Sequence, residues 1–169
     1  YLQVVRHLAF RESPADLRLR MNRLLHDLCV PETASSSAFQ LEAIGSEAIP
    51  ILKQGLQAPT LECRFHSAVA LSYLGESAGV PTLVEATKKE RTFRVFSLAA
   101  MAALDAAEVR SALRELMNDP TEDIRYGAFR VLRTLDRKNP FIRAETLGVR
   151  AYVDNTDHEY ELNVLNTAM

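Results

Sequence analysis

The chain has 169 residues, enough for one domain to bury a core without borrowing stability from a cofactor or metal. With 20 Lys and Arg against 22 Asp and Glu, its formal charge of -2 argues against a dedicated nucleic-acid binder, which carries a basic excess. At 47% hydrophobic and 25% charged, with 6 Gly and 7 Pro, the composition is that of a packed globular protein. The longest nearly apolar run, 95–104, falls far short of the ~20 residues of a membrane span, so no membrane insertion is expected. The chain opens at Tyr1 without a leader pattern and stops after Asn166-Thr167-Ala168-Met169, so it reads as an excised or processed piece.

In chain order, Tyr1, Val4, Val5 and Leu8 predict one helix face, and Ser13-Pro14-Ala15-Asp16 is a start signal for a second helix running to about Leu28. Arg18, Arg20 and Arg23 suit the polar outer face of a terminal repeat. A period then sets in. Residues 38–45 read AFQLEAIG, 68–75 AVALSYLG, 98–105 LAAMAALD and 128–136 AFRVLRTLD, with Gly45, Gly75 and Asp105 spaced 30 apart and Asp136 following 31 later. Each block is apolar at helical spacing and closes on Gly or Asp, residues expected to end a first helix in the left-handed conformation. Second helices follow on Ile49, Leu52 and Leu56, on Val80, Leu83 and Val84, and on Val109, Leu113, Leu116 and Met117. Pro50 and Pro81 sit near their starts, where a missing N–H costs little.

The pattern breaks at Lys138-Asn139-Pro140. From about Val149 it turns to alternation, with Tyr160, Leu162 and Val164 on one face, Glu159, Glu161 and Asn163 on the other, and turn residues at Asp154-Asn155-Thr156-Asp157. The prediction is an all-α, right-handed α-solenoid of four to five helix pairs over 1–148. A short β-like hairpin or extended tail over 149–169 follows, which could open another domain.

Arg64, Arg94 and Arg125 fall at equivalent positions near the starts of three first helices and should form a structural ladder. Each guanidinium would bridge carboxylates and loop carbonyls of adjacent repeats, with Glu62, Glu122 and Asp123 in reach. Cys29 and Cys63 are expected to lie about two helix layers of ~8–10 Å apart, beyond the reach of a disulfide, and to serve as small apolar residues. His7, His26, His66 and His158 show no metal-ligand spacing, and there is no H-E-x-x-H, C-x-x-C or Gly-rich phosphate loop. No metal, cofactor or catalytic centre is therefore expected. Asp154, Asp157, Glu159 and Glu161 lack the order of an EF-hand loop and read as a solvated turn.

Lys88, Lys89, Arg91 and Arg94 form the densest basic cluster, with Phe93 and Phe96 interleaved. The spacing points the phenylalanines toward the core and makes the charges a solvated face, so no nucleic acid is expected there. Stacked second helices create an extended concave surface, and their outward positions are the candidate contacts for a protein partner. These are Glu47, Lys53 and Gln57, then Glu85 and Lys88, then Arg110 and Arg114.

The thirty-residue helix pair, preceded by D-P-x-x-x-[VI]-R-x-x-A, resembles the HEAT-like repeat of the phycobilisome-lyase type. The fullest copy is Asp119-Pro120-Thr121-Glu122-Asp123-Ile124-Arg125-Tyr126-Gly127-Ala128. Ala58-Pro59-Thr60-Leu61-Glu62-Cys63-Arg64 lacks the leading Asp, and Glu90-Arg91-Thr92-Phe93-Arg94 lacks both Asp and Pro. The opening YLQVVRHLAFRE and the stretches IRYGAFRVLRTLD and NPFIRAETLG are also similar to a HEAT-like region of some bacterial flagellar P-ring proteins. That resemblance implies a non-catalytic interaction or scaffold module in the periplasm, with basal-body components as partners. The alternatives implied by the repeat are a chromophore-lyase-like subunit that binds bilin, or a solenoid akin to HEAT-like DNA glycosylases that binds nucleic acid. Outside the flagellar setting the expected compartment is the cytoplasm.

Overall fold

The computed structural model of the chain describes residues 12–138. The expected helix over 1–8, the boundary at 148, the tail, His7 and His158 lie outside them.

The first described helix, α1 (Pro14–Asp27), starts where the sequence signals it: Ser13 is extended, its Oγ accepts from the Asp16 N–H at 3.2 Å, and Pro14 opens the first turn. The loop after it leads into α2 (Pro31–Ile44), followed by a 3-10 turn (Gly45–Ala48) and the short α3 (Ile49–Gly55). Thr60 caps α4 (Leu61–Tyr73) by accepting from the Cys63 N–H. A second 3-10 turn (Ser77–Gly79), α5 (Val80–Lys89), α6 (Arg91–Ala103), α7 (Ala107–Leu116) and α8 (Glu122–Lys138) complete the order, with no strand among the described residues.

The two glycines that close α2 and α4 have φ of 84°. At Gly75 the N–H donates to Ser72 O at 3.1 Å and that of Glu76 to Leu71 O at 2.9 Å, which satisfies two carbonyls at the helix end. Asp105 and Asp136, expected to play the same part, do not: no non-glycine residue has positive φ among the described residues. Leu104 is extended after α6, and Asp136 lies buried inside α8. Their carboxylates take a different role: Arg110 Nε donates to Asp105 Oδ1 at 3.0 Å and its Nη1 to Asp136 Oδ1 at 2.9 Å, tying the ends of two successive repeats together.

First helices lie side by side, α2 on α4, α4 on α6 and α6 on α8, while α1 meets α3 and α5 meets α7. The central α4 touches α2, α3, α5 and α6. Its sequence permits this, because Cys63, Ser67, Ala68, Ala70 and Ser72 are small and buried and let four neighbours approach. Gly79 is such an approach: a Cβ there would sit 2.7 Å from Ala68 Cα. One apolar cluster gathers Leu24, Leu28, Leu41, Leu52 and Leu71, and the second gathers Phe65, Leu83, Met101, Leu113 and Leu132. Because α4 contributes to both clusters, the helix layers share a continuous core.

Cys29 and Cys63 form a disulfide, with a Cα–Cα distance of 4.4 Å. The expected separation of two layers is corrected to one. Cys29 precedes the start of α2 and Cys63 lies in the first turn of α4, and first helices packed side by side bring those starts together.

Candidate functional site

An apolar concavity of about 420 Å³ lies across the first helices α2, α4 and α6. From α2 come Phe39 and Glu42, one helical turn apart. From α4 come Phe65, Val69 and Tyr73, which repeat every fourth residue and form a stripe, with His66 beside them. Phe93 and Phe96 close it from α6.

The floor is aromatic. Phe65, 3% exposed, stacks on Phe93 with centroids 4.1 Å apart and planes 11° from parallel, which joins α4 to α6. The His66 ring meets Phe65 edge-on at 5.0 Å. The rim is aromatic and open: Phe39 is 65% exposed, Phe96 63% and Tyr73 51%. The expectation that Phe96 faces the core is thus corrected. It lies three residues beyond Phe93 and lines the groove while remaining exposed.

Two titratable groups face this apolar surface. Burial pushes the Glu42 carboxyl above the ordinary glutamate value, and Glu42 Oε1 is buried with no hydrogen-bond partner among the described residues. Burial pushes His66 below the ordinary imidazole value, favouring the neutral ring. An apolar pocket with a few converging polar groups is the arrangement of a binding site. No group of His, Cys, Asp and Glu among the described residues is placed to hold a metal ion, and no helix among them is long and apolar enough to cross a membrane.

None of the seven candidate contacts on the second helices lines this groove. Glu47 and Gln57 are exposed. Lys53 pairs with Glu76 at 2.7 Å, Lys88 with Glu115 at 3.0 Å, and Glu85 with both Arg64 and Lys89. Lys89 and Arg64 hold the Glu85 carboxyl below its ordinary value, against the opposing effect of burial. Arg114 is exposed, but Arg110 is 5% exposed and is corrected from a surface contact to a buried bridge. Burial opposes its charge, and the hydrogen bonds to Asp136 and Asp105 outweigh that and hold the guanidinium above the ordinary arginine value. Its side chain lies on the flank of α7 beside Val109 and turns inward because two carboxylates wait there.

A more open trough of about 540 Å³ on the second-helix side runs between α5 and α7, lined by Pro81, Val84, Glu108, Ser111 and Glu115. Arg64 and Arg125 fasten the loop before their own helix, and Arg94 fastens the last turn of α5. Arg64 donates to Ala58 O and Pro59 O at 3.1 and 3.0 Å, Arg125 to Asp119 O and Pro120 O at 2.8 and 2.9 Å, and Arg94 to Thr87 O at 3.2 Å. Arg94 also lies 3.6 Å from Asp123 and Arg125 3.9 Å from Glu122.

Helical periodicity hides the groove, because it marks the core stripe alone. Phe39 stands between Ala38 and Gln40, and Tyr73 between Ser72 and Leu74, both off the buried stripe of their helices. Large aromatic residues at off-stripe positions of adjacent first helices were the available signal. No family model matches this chain, and no curated protein matches it either.

Proposed function

We propose that the chain is a non-catalytic protein-interaction module, a right-handed HEAT-like solenoid that binds a partner through the aromatic groove on its first helices. The observation that carries this reading is the groove itself: Phe39, Tyr73 and Phe96, each more than half exposed, border one concavity. Contiguous exposed apolar surface is costly in water and marks interaction sites. Tyr and Phe are enriched in the buried centres of interfaces. The side-by-side contacts of α2, α4, α6 and α8 support the solenoid, since in such arrays each repeat contacts its neighbours.

The Cys29–Cys63 disulfide supports an extracytoplasmic setting, because oxidising compartments such as the periplasm sustain such bonds. Together with the P-ring resemblance, this makes a flagellar basal-body component the first partner to test. The experiment places a photo-crosslinking phenylalanine at position 39 or 96 of the chain in its source cells, with positions 57 and 114 as controls. A discrete adduct from 39 and 96, absent from 57 and 114 and identified by mass spectrometry, supports the reading, and a basal-body protein in that adduct supports the flagellar placement. Adducts from 57 and 114 alone overturn the groove and return the interface to the second helices.

A further inference from the structure

We propose that the groove receives a protein segment that combines large apolar side chains with one lysine or arginine, whose cation is seated against Glu42. This rests on the groove being the protein-binding face, and it adds the chemistry of the partner.

Apolar area alone does not choose among partners; Glu42 does. Glu42 lines a cavity whose surface is otherwise mostly apolar, and its Oε1 is already shut off from water with no donor among the described residues. A wholly apolar occupant would cover what remains of the half-buried carboxylate and supply no donor, which is the costly way to bury a polar group. An acidic occupant would add repulsion between like charges in a site shielded from water. A lysine or arginine removes both costs, since each carries donors and no acceptor at the end of a long apolar stem. The stem lies along the exposed rings of Phe39 and Tyr73, and the same rings attract a cation that passes over them. His66 supplies no competing charge, because burial keeps its ring neutral. The volume of about 420 Å³ is that of a small-ligand pocket, room for a few side chains of a segment rather than for a domain.

The test is selection of a random peptide library, displayed on phage, against the oxidised full chain and against three variants: Glu42→Gln, Phe39→Ser and Phe96→Ser. Phe39 and Phe96 are exposed and Glu42→Gln keeps shape, and circular dichroism confirms that each variant is folded. The expected result is an enriched pattern of two or more large apolar residues with a Lys or Arg at fixed spacing. Binding of a synthetic peptide of that pattern should fall on Phe39→Ser and Phe96→Ser. Replacing its basic residue by norleucine should weaken binding roughly tenfold or more on the parent chain and less than about twofold on Glu42→Gln.

Enriched peptides that bind through Phe39 and Phe96 but show no basic preference, or an acidic one, overturn this inference and leave the groove as an interface. Peptides indifferent to both phenylalanine variants, or no enrichment at all, overturn the groove reading as well. A concentration-dependent dimer of the chain that Phe39→Ser abolishes would assign the groove to a second copy, and would also overturn the proposal.

Discussion

Reduction of the Cys29–Cys63 disulfide should cost the domain a large part of its stability. The bond closes a loop across a sequence separation of 34, running from the α1–α2 turn to the first turn of α4. Constraining an unfolded chain over that span is worth about 3.8 kcal/mol at 25 °C on the loop-entropy account. For a chain of this size that corresponds to a fall in Tm of about 8–15 °C. Cys63 is buried but Cys29 is exposed, so a soluble phosphine can reach the bond without prior unfolding. Urea titrations followed by far-UV circular dichroism, with and without the phosphine, should show the midpoint of the oxidised chain falling by about 2 M on reduction. A Cys29→Ala/Cys63→Ala variant should match the reduced chain and ignore the reductant. Equal midpoints for the oxidised and reduced parent, or two titratable thiols in the untreated unfolded chain, would refute the reasoning.

Arg110→Met should destabilise by about 3 kcal/mol or more, because it breaks a buried bridge between Asp105 and Asp136, whereas Arg114→Ser, on the exposed side of the same helix, should stay within about 0.5 kcal/mol. Denaturant midpoints of the two variants check this. Gly79→Ala should cost about 1–3 kcal/mol, since the added methyl meets the backbone of Ala68 at 2.7 Å and neither the turn nor α4 can yield cheaply. The thermal midpoint reads it. Glu42 and His66 predict opposite pH trends. Burial raises the Glu42 pKa from 4.5, so the folded state holds its proton more tightly than the unfolded chain, and stability is lost as pH rises from 4.5 through the raised value; Glu42→Gln should gain on the parent as pH rises above about 4.5. Burial lowers the His66 pKa from 6.5, so protonation favours unfolding and stability is lost as pH falls below about 6.5, a loss that His66→Phe should abolish. Urea midpoints across pH 4 to 8 separate the two.

The helical elements were legible from apolar spacing, reinforced in places by a start residue such as Ser13 or a stop residue such as Gly45 or Gly75. Asp105 and Asp136 show where such agreement misleads. A residue at the glycine position of a repeat need not adopt the glycine conformation, and here both carboxylates sit at those positions to meet Arg110. Arg110 itself read as surface because long cationic side chains are rarely buried unless paired, and its two partners lie 5 residues before and 26 after it. The disulfide failed for a different reason. Counting every intervening helix as a layer overstates the distance, because α2 and α4 pack directly against each other. The groove was the least legible feature, because it is assembled from three helices, and periodicity reports only which face of each helix is buried.

The division of labour between the two faces follows from where charge finds its partners. On the second-helix side, Lys53–Glu76 and Lys88–Glu115 join one repeat unit to the next. Each such exposed pair contributes about 0–1 kcal/mol on its own. A partner docking there would have to desolvate or replace ion pairs that are already made, with little apolar area gained in return. On the first-helix side the balance reverses: the charge bordering the groove, Glu42, has a buried oxygen without a donor, and the surrounding surface is aromatic. Binding there would remove apolar surface from water and, on the proposal above, bring a cation to that carboxylate. The disulfide adds a mechanical link, since it pins the start of α2 to α4, the two helices that present Phe39 and Glu42 on one side and Phe65 and Tyr73 on the other. Opening that bond should therefore loosen the groove as well as the fold, and peptide affinity should fall on reduction even at temperatures where the reduced chain remains helical.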